Sequence, residues 1–170
     1  EERSNDASGS VVCACLEGNR PILVEVQALV AKTPYGMPRR TAVGFDYNRV
    51  TMLLAILERR LGMDFGAYDA YVNVVGGMRV TEPAADLAVA AALVSSYRNR
   101  PIPHGVLVMG EVGLTGEVRR IGSPERRIKD AMNLGFKRFV LPMGKLSLDE
   151  PCNGIVQVKT LEEALDKVFA

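Results

Sequence analysis

The chain has 170 residues, 48% of them hydrophobic, which is enough for one domain with a sizeable core. Its net charge of +1 argues against a protein coated uniformly in cations, and no apolar run approaches the roughly 20 residues of a membrane span. The chain begins with Glu1 rather than Met and its polar N-terminus lacks a signal-peptide pattern. We therefore expect a soluble, non-exported piece of a longer protein, without a membrane partner.

The first quarter of the chain predicts a β-hairpin followed by a loop. Residues 11–16 and 22–30 are strand-like runs separated by a turn signal, and the second run alternates between one apolar face and a more polar face. Residues 32–40 contain two prolines and a glycine, which indicates a loop. A short strand is expected around residues 41–44.

A small-residue helix follows as the predicted centre of the domain. Asp46 is expected to cap a preceding helix that ends at Gly62, and residues 68–75 read as a buried strand. Residues 81–83, Thr-Glu-Pro, form a helix-entry signal. Residues 84–94 are small and apolar on nearly every face, so this helix should lie between other elements.

Strands alternate with helices in the C-terminal half. The predicted elements are a strand at 106–109, two short extended pieces within 110–121, a helix capped by Ser123 and closed by Gly135, strands at 139–141 and 155–158, and a last helix opened by a capping box at 160–163. This alternation indicates α/β layering. The hairpin at the start favours a mixed sheet over a purely parallel one.

Three cysteines and one histidine limit the chemistry available to the chain. An odd number of cysteines without a secretory signal argues against a disulfide scaffold. Cys13 and Cys15 are two apart in a strand, so they share a face and can serve as small buried hydrophobes. A zinc site that joins them to Cys152 and His104 matches no recognised ligand spacing.

Arginine dominates the basic residues, with 15 of 21, and forms doublets at 39–40, 59–60, 119–120 and 126–127. Guanidinium groups make bidentate contacts with phosphate or carboxylate. Two interpretations follow. The arginines pair with the 20 acidic residues across helix faces and subunit contacts, or some of them bind the phosphates of a nucleic acid.

Longer motifs carry a resemblance to a known family. The segment G-E-V-G-L-T-G-E-V-R-R-I-G-S-P-E-R-R-I-K-D-A follows an Ala-rich helix and resembles the proteolytic domain of the Lon family, over roughly residues 10–170. The stretches R-R-T-A-V-G-F-D-Y-N-R-V and V-N-V-V-G-G-M-R-V-T-E-P-A-A-D-L-A are more similar still to the C-terminal Lon-like domain of the RadA (Sms) family of bacterial DNA-repair proteins. The resemblance implies an α/β fold with a mixed sheet, of the ribosomal protein S5 domain 2-like type.

The Lon resemblance also predicts that the protease dyad is lost. The family's serine comes from a G-P-S-A-G element and its lysine from an I-G-G-L-K-E-K element. These elements fall on residues 82–86 and 121–127, which places Ala84 at the serine position and Glu125 at the lysine position. A methyl group cannot attack a carbonyl and a carboxylate is not the required amine base, so we predict no peptidase activity. Structural or solvated positions are predicted for the alternatives Ser95, Ser96, Ser123 and Lys129.

The RadA resemblance implies a larger parent protein. An upstream ATPase core and a four-cysteine zinc motif would bind ATP, Mg and Zn, with no cofactor in this fragment. Residues 1–8 would then be a linker from that core, and residues 9–170 a single Lon-like domain. The implied parent is a hexameric, ATP-dependent branch-migration helicase of recombinational DNA repair, located in the bacterial cytoplasm at the nucleoid.

Within that parent, the resemblance implies a non-proteolytic scaffold that holds the ring together and binds single-stranded or branched DNA through its backbone. The candidate DNA-binding residues are Arg39 and Arg40 on the Pro-rich loop, joined by Arg49, Arg79, Arg119 and Arg120. Two alternatives stay open: a pure homo-oligomerisation scaffold without DNA contact, and an active Ser–Lys peptidase.

Overall fold

The computed structural model describes residues 7–170, which form nine strands and four α-helices. The strands are β1 Ser10–Glu17, β2 Arg20–Lys32, β3 Arg40–Val43, β4 Tyr68–Val74, β5 Val106–Val108, β6 Glu111–Val112, β7 Val118–Arg119, β8 Arg138–Pro142 and β9 Ile155–Val158. The helices are α1 Tyr47–Leu61, α2 Asp86–Arg98, α3 Pro124–Asn133 and α4 Leu161–Phe169. Within residues 7–170, none of the helices could cross a bilayer, given their length and polarity.

Seven strands form one mixed sheet in the order β3-β4-β2-β1-β5-β8-β9. Strand β2 is antiparallel to both of its neighbours, whereas the other neighbouring pairs are parallel. All strands of this sheet except β2 therefore run in one direction. The predicted hairpin, mixed sheet and α/β class are confirmed, and β6 with β7 makes the two short extended pieces expected between β5 and α3.

Helix α2 is the buried centre that its sequence predicted. Every residue from 87 to 94 is fully buried, and the helix lies mainly against β2 and β1. A 3-10 turn, Pro83–Ala85, leads into it. The buried hydroxyl of Ser95 donates to the carbonyl of Arg100 at 2.5 Å and accepts from the amide of Gly9 at 2.8 Å. Its predicted structural role is thus explained.

Local capping signals were read correctly at three helix ends and incorrectly at one. Asp46 accepts from the amide of Asn48 at 2.7 Å, Gly62 ends α1 with a positive φ of 69°, and Thr160 accepts from the amide of Glu163 at 3.2 Å. Ser123 precedes α3 as predicted but its side chain makes no capping bond. Its left-handed backbone, φ 52°, departs from the extended conformation in which a cap side chain reaches the first-turn amides.

The helices lie on both faces of the sheet. The thiol of Cys13 points at the carbonyl of Ala84, beside the start of α2, whereas Val12 lines a cavity with Phe136, just after α3. Successive strand residues point to opposite faces, so α2 and α3 cover opposite sides. Helix α3 packs mainly on β1 and β2. The face of β3 and β4 that points away from α2 is therefore exposed to solvent.

Candidate functional site

The two positions at which the Lon resemblance predicts a lost dyad have different hydrogen-bond partners. Ala84 is buried in the turn before α2, and its carbonyl accepts from the amide of Gly110 at 2.8 Å. Glu125 lies in the first turn of α3 and accepts from the amide of Ser147 at 3.3 Å. Neither a hydroxyl nor an amine therefore stands at the two positions where the Lon family has its Ser–Lys dyad.

A buried ion pair organises the chain beside Ala84. The guanidinium of Arg127, 1% exposed, makes a bidentate contact with Glu82, with Nη1–Oε1 at 2.5 Å and Nη2–Oε2 at 3.0 Å. Arg127 also donates to the carbonyls of Ala14 at 2.9 Å and Gly122 at 2.8 Å, and Glu82 accepts from the amide of Leu16 at 2.8 Å. This cluster ties β1, the turn before α2 and α3 together.

A second ion pair lies at the other end of the same turn, where α2 begins. The fully buried carboxylate of Asp86 accepts from the guanidinium of Arg49 and from the amide of Val112 at 3.1 Å. Burial raises the pKa of Asp86, and the hydrogen bonds from Arg49 and Val112 oppose that rise. The hydrogen bond with Asp86 in turn raises the pKa of Arg49. Arg49, predicted to bind DNA, thus already has its charge neutralised by a carboxylate of its own chain.

Sequence reasoning missed the partners of these two pairs. Glu82 and Asp86 stand in the helix-entry segment, and the sequence left open whether they join a salt-bridge network. Arg127 belongs to a doublet that reads as surface charge, yet it is buried while its neighbour Arg126 is exposed. The helical spacing of Arg127 with the buried Ala131 was the one signal that could have revealed its inward direction.

The cysteines are core residues, as predicted for Cys13 and Cys15. Their sulfur atoms are 3.9 Å apart on the face that α2 covers. The hydrogen bond with Cys15 and burial raise the pKa of Cys13, which disfavours a reactive thiolate. Cys152 is half-buried. Within residues 7–170, no three His, Cys, Asp or Glu side chains gather in a way that could hold a metal ion.

The remaining candidate arginines differ in their exposure and in their hydrogen bonds. Arg39, Arg79, Arg119 and Arg120 are exposed. Arg40 is half-buried and donates to the carbonyls of Tyr68 and Phe65, the latter at 2.8 Å. Arg119 lies 3.9 Å from Glu117 in a pair at the surface, which is a weak contact.

The structure does not bring the candidate arginines together in one patch. Arg39 and Arg40 stand at the start of β3, whereas the amide of Val80, next to Arg79, donates to the carbonyl of Gly44 at the end of β3. The four residue steps from 40 to 44 span about 13 Å. Arg120 lies beside Gly144, which follows the end of β8. The candidate arginines are therefore spread over the sheet: Arg39 and Arg79 lie near opposite ends of β3, and Arg120 lies beside β8, with four strands between β8 and β3.

Comparison with known proteins gives the family of this chain. Residues 26–145, more than half of the chain, match the protein family described as "Subunit ChlI of Mg-chelatase". The chain belongs to the ChlI family. Relatives of this ChlI-family chain include proteins named "DNA repair protein RadA" in Pseudomonas aeruginosa, 51% identical over 95% of the chain, and in Halalkalibacterium halodurans, 47% identical over 98% of it.

The RadA relative of Bacillus subtilis is 47% identical over 97% of the ChlI-family chain. These matches confirm the similarity to RadA proteins that the motifs predicted. The chain spans only 36–37% of the length of these three relatives.

Proposed function

We propose that this ChlI-family chain is a non-proteolytic scaffold and DNA-binding domain of a RadA-type protein that acts in DNA repair. The observation that carries the proposal is the replacement of the dyad by Ala84 and Glu125, with the buried Glu82–Arg127 pair beside it. The names of the relatives support the repair context. In this proposal the parent is a hexameric, ATP-dependent branch-migration helicase, and ATP, Mg and Zn belong to its other domains.

Loss of peptidase activity is the first testable part. We expect the chain to leave casein intact and to resist a serine-directed fluorophosphonate probe. Ala84→Ser should not restore cleavage, because the new hydroxyl would be buried and would lack a neighbouring amine. Cleavage by the wild-type chain that disappears in Lys129→Ala would contradict this part of the proposal.

DNA binding is argued from the exposed arginines. Within residues 7–170, the ion pairs involve Arg49, Arg119 and Arg127, and the guanidinium groups of Arg39, Arg79 and Arg120 are exposed without a carboxylate at ion-pair distance there. Guanidinium groups on loops and strand ends can reach a phosphate backbone without moving a helix. Such contacts are independent of base sequence and weaken as salt rises.

Fluorescence anisotropy with a single strand and a branched junction tests this binding. Each phosphate contact adds about 0.7–0.9 to the slope of log affinity against log salt, so Arg39→Ala/Arg40→Ala should lower that slope by about 1–2. The matched control is Arg59→Ala/Arg60→Ala, a second arginine doublet, which is exposed on the last turn of α1. An unchanged slope in the first variant, or an equal loss in both, would remove Arg39 and Arg40 from the interface.

A pure homo-oligomerisation scaffold is the second candidate, and the open sheet face favours it. Leu29 and Val43 are 58% and 55% exposed there, beside the half-buried Tyr71. Exposed apolar side chains on one face are typical of a surface that contacts a partner. Light scattering that finds a ring, together with no retention of DNA, would favour this candidate over DNA binding.

A further inference from the structure

The loop between β2 and β3 presents two large apolar side chains to solvent. Tyr35 and Met37 are each 88% exposed, more than any other large hydrophobic residue that the structure describes. They stand two residues apart on either side of Gly36, whose positive φ of 87° bends the tip. Both side chains thus project from one tight turn without covering any part of the core.

The neck of this loop is held by several hydrogen bonds. The carboxylate of Asp69 accepts from the hydroxyl of Thr33 at 3.0 Å and from the amide of Arg39 at 2.7 Å, so it bridges the two ends of the loop. These bonds lower the pKa of Asp69, the bond from Arg39 most strongly. The amide of Thr33 also donates to the carbonyl of Ala67 at 2.9 Å.

Two prolines restrict the loop further. Pro34 and Pro38 stand inside the neck on either side of the tip, and each fixes its own φ. A tip on a restrained neck has less conformational entropy to lose when it binds. The loop is therefore arranged to offer Tyr35 and Met37 to a partner.

The charges around the tip indicate what that partner is. Lys32, Arg39 and Arg40 flank the loop, and no acidic residue occurs from 32 to 45. The nearby carboxylate of Asp69 is buried and faces the neck. An aromatic and a thioether side chain beside the exposed guanidinium group of Arg39 suit a ligand that has both flat apolar rings and phosphates.

We propose that Tyr35 and Met37 contact the unpaired bases of a single-stranded nucleic acid. The ring of Tyr35 stacks on a base, Met37 packs against a neighbouring base, and Arg39 holds the adjoining phosphate. A duplex is a poorer ligand for this tip because its base faces are covered by stacking. This inference rests on the proposed DNA binding and goes beyond it, since the arginine contacts alone require no bases.

Three DNA probes distinguish base contacts from phosphate contacts: an oligothymidine strand, the same strand with abasic sites, and a blunt duplex. The wild-type chain should bind the base-bearing strand more tightly than the abasic strand. Tyr35→Ala should weaken binding to the base-bearing strand about five-fold or more, which corresponds to the loss of one stacked base. Its binding to the abasic strand and its salt slope should not change, and Tyr35→Phe should keep the wild-type affinity.

The control variants separate failure of this inference from failure of the proposed function. Leu114→Ala removes a 70% exposed apolar side chain from another loop and should have no effect. Arg39→Ala should lower the salt slope but keep the preference for bases. If Tyr35→Ala behaves like Leu114→Ala while Arg39→Ala still lowers the slope, the tip does not bind bases and the proposed function stands.

Two further outcomes would overturn the inference. If the wild-type chain binds none of the three probes, base contact and the proposed DNA binding both fail. If Tyr35→Ala or Met37→Ala lowers the mass found by light scattering and leaves DNA affinity unchanged, the tip contacts a neighbouring subunit instead. Thermal unfolding of each variant should match that of the wild-type chain, because both side chains lie outside the core.

Discussion

Arg127 is the side chain on which the region around Ala84 depends. Its guanidinium is removed from water, and two carboxylate oxygens and two carbonyls replace the lost hydration. Because the desolvation of both charges opposes their attraction, such a pair contributes little net stability while it is intact. Removal of one partner strongly destabilises the fold, because the other charge is then left buried without its counter-ion.

Arg127→Met should therefore lower the free energy of unfolding by about 3 kcal/mol. We take the lower end of the range for a broken buried pair because the side chain of Glu82 is 22% exposed and can be partly rehydrated. Urea unfolding followed by circular dichroism measures the change. The control is Arg126→Met on the exposed neighbour, where a change within about 0.5 kcal/mol is expected. Equal losses in the two variants would contradict the role given to Arg127.

Helix α2 determines how closely the elements of the domain approach one another. Its alanines let β1 and β2 pack near the helix backbone, and its buried positions leave no room for larger groups. Helix propensity alone does not explain this composition, because exposed helices also favour alanine. The small side chains are required by the packing on every side of α2.

Ala90→Leu should destabilise the domain by about 1–3 kcal/mol, because three added carbons would enter a fully packed site. Ala55→Leu is the matched control, since Ala55 is exposed on α1. The midpoint of urea unfolding for the two variants gives the comparison. A loss in Ala55→Leu as large as that in Ala90→Leu would show that the effect is not one of core packing.

At the scale of the whole molecule, one apolar cluster joins elements from both ends of the described chain. It extends from Val11 in β1 to Phe169 in α4. Strand β1 lies near the middle of the sheet, so its pairing closes contacts between residues far apart in sequence. Unfolding of any one element would expose apolar side chains of its neighbours, so such a core is expected to unfold as a unit.

We expect residues 7–170 to unfold in one cooperative transition. The chain has five tyrosines and no tryptophan, so tyrosine fluorescence reports on tertiary packing while far-ultraviolet circular dichroism reports on the helices. The two signals should give coincident urea curves. Separate midpoints would indicate two independently folding parts and would contradict a single core.

Local patterns in the sequence were sufficient for most of the elements. The hairpin, the buried helix and the caps at Asp46 and Thr160 depend on residues close together in the chain, so their physical causes can be read from spacing and residue type. The residues at positions 84 and 125 are also read directly from the sequence, and the loss of peptidase activity that the Lon resemblance implies for them stays a prediction.

The partners of the ion pairs are determined only by the tertiary structure. Glu82 and Arg127 are 45 residues apart, and Arg49 and Asp86 are 37 apart. An arginine at a given position has the same charge whether it faces water or a buried carboxylate, so composition does not distinguish a free cation from a paired one. The pairing of Arg49, the spread of the exposed arginines over the sheet and the restrained tip at Tyr35 and Met37 follow from the strand order and from the hydrogen bonds of Asp69.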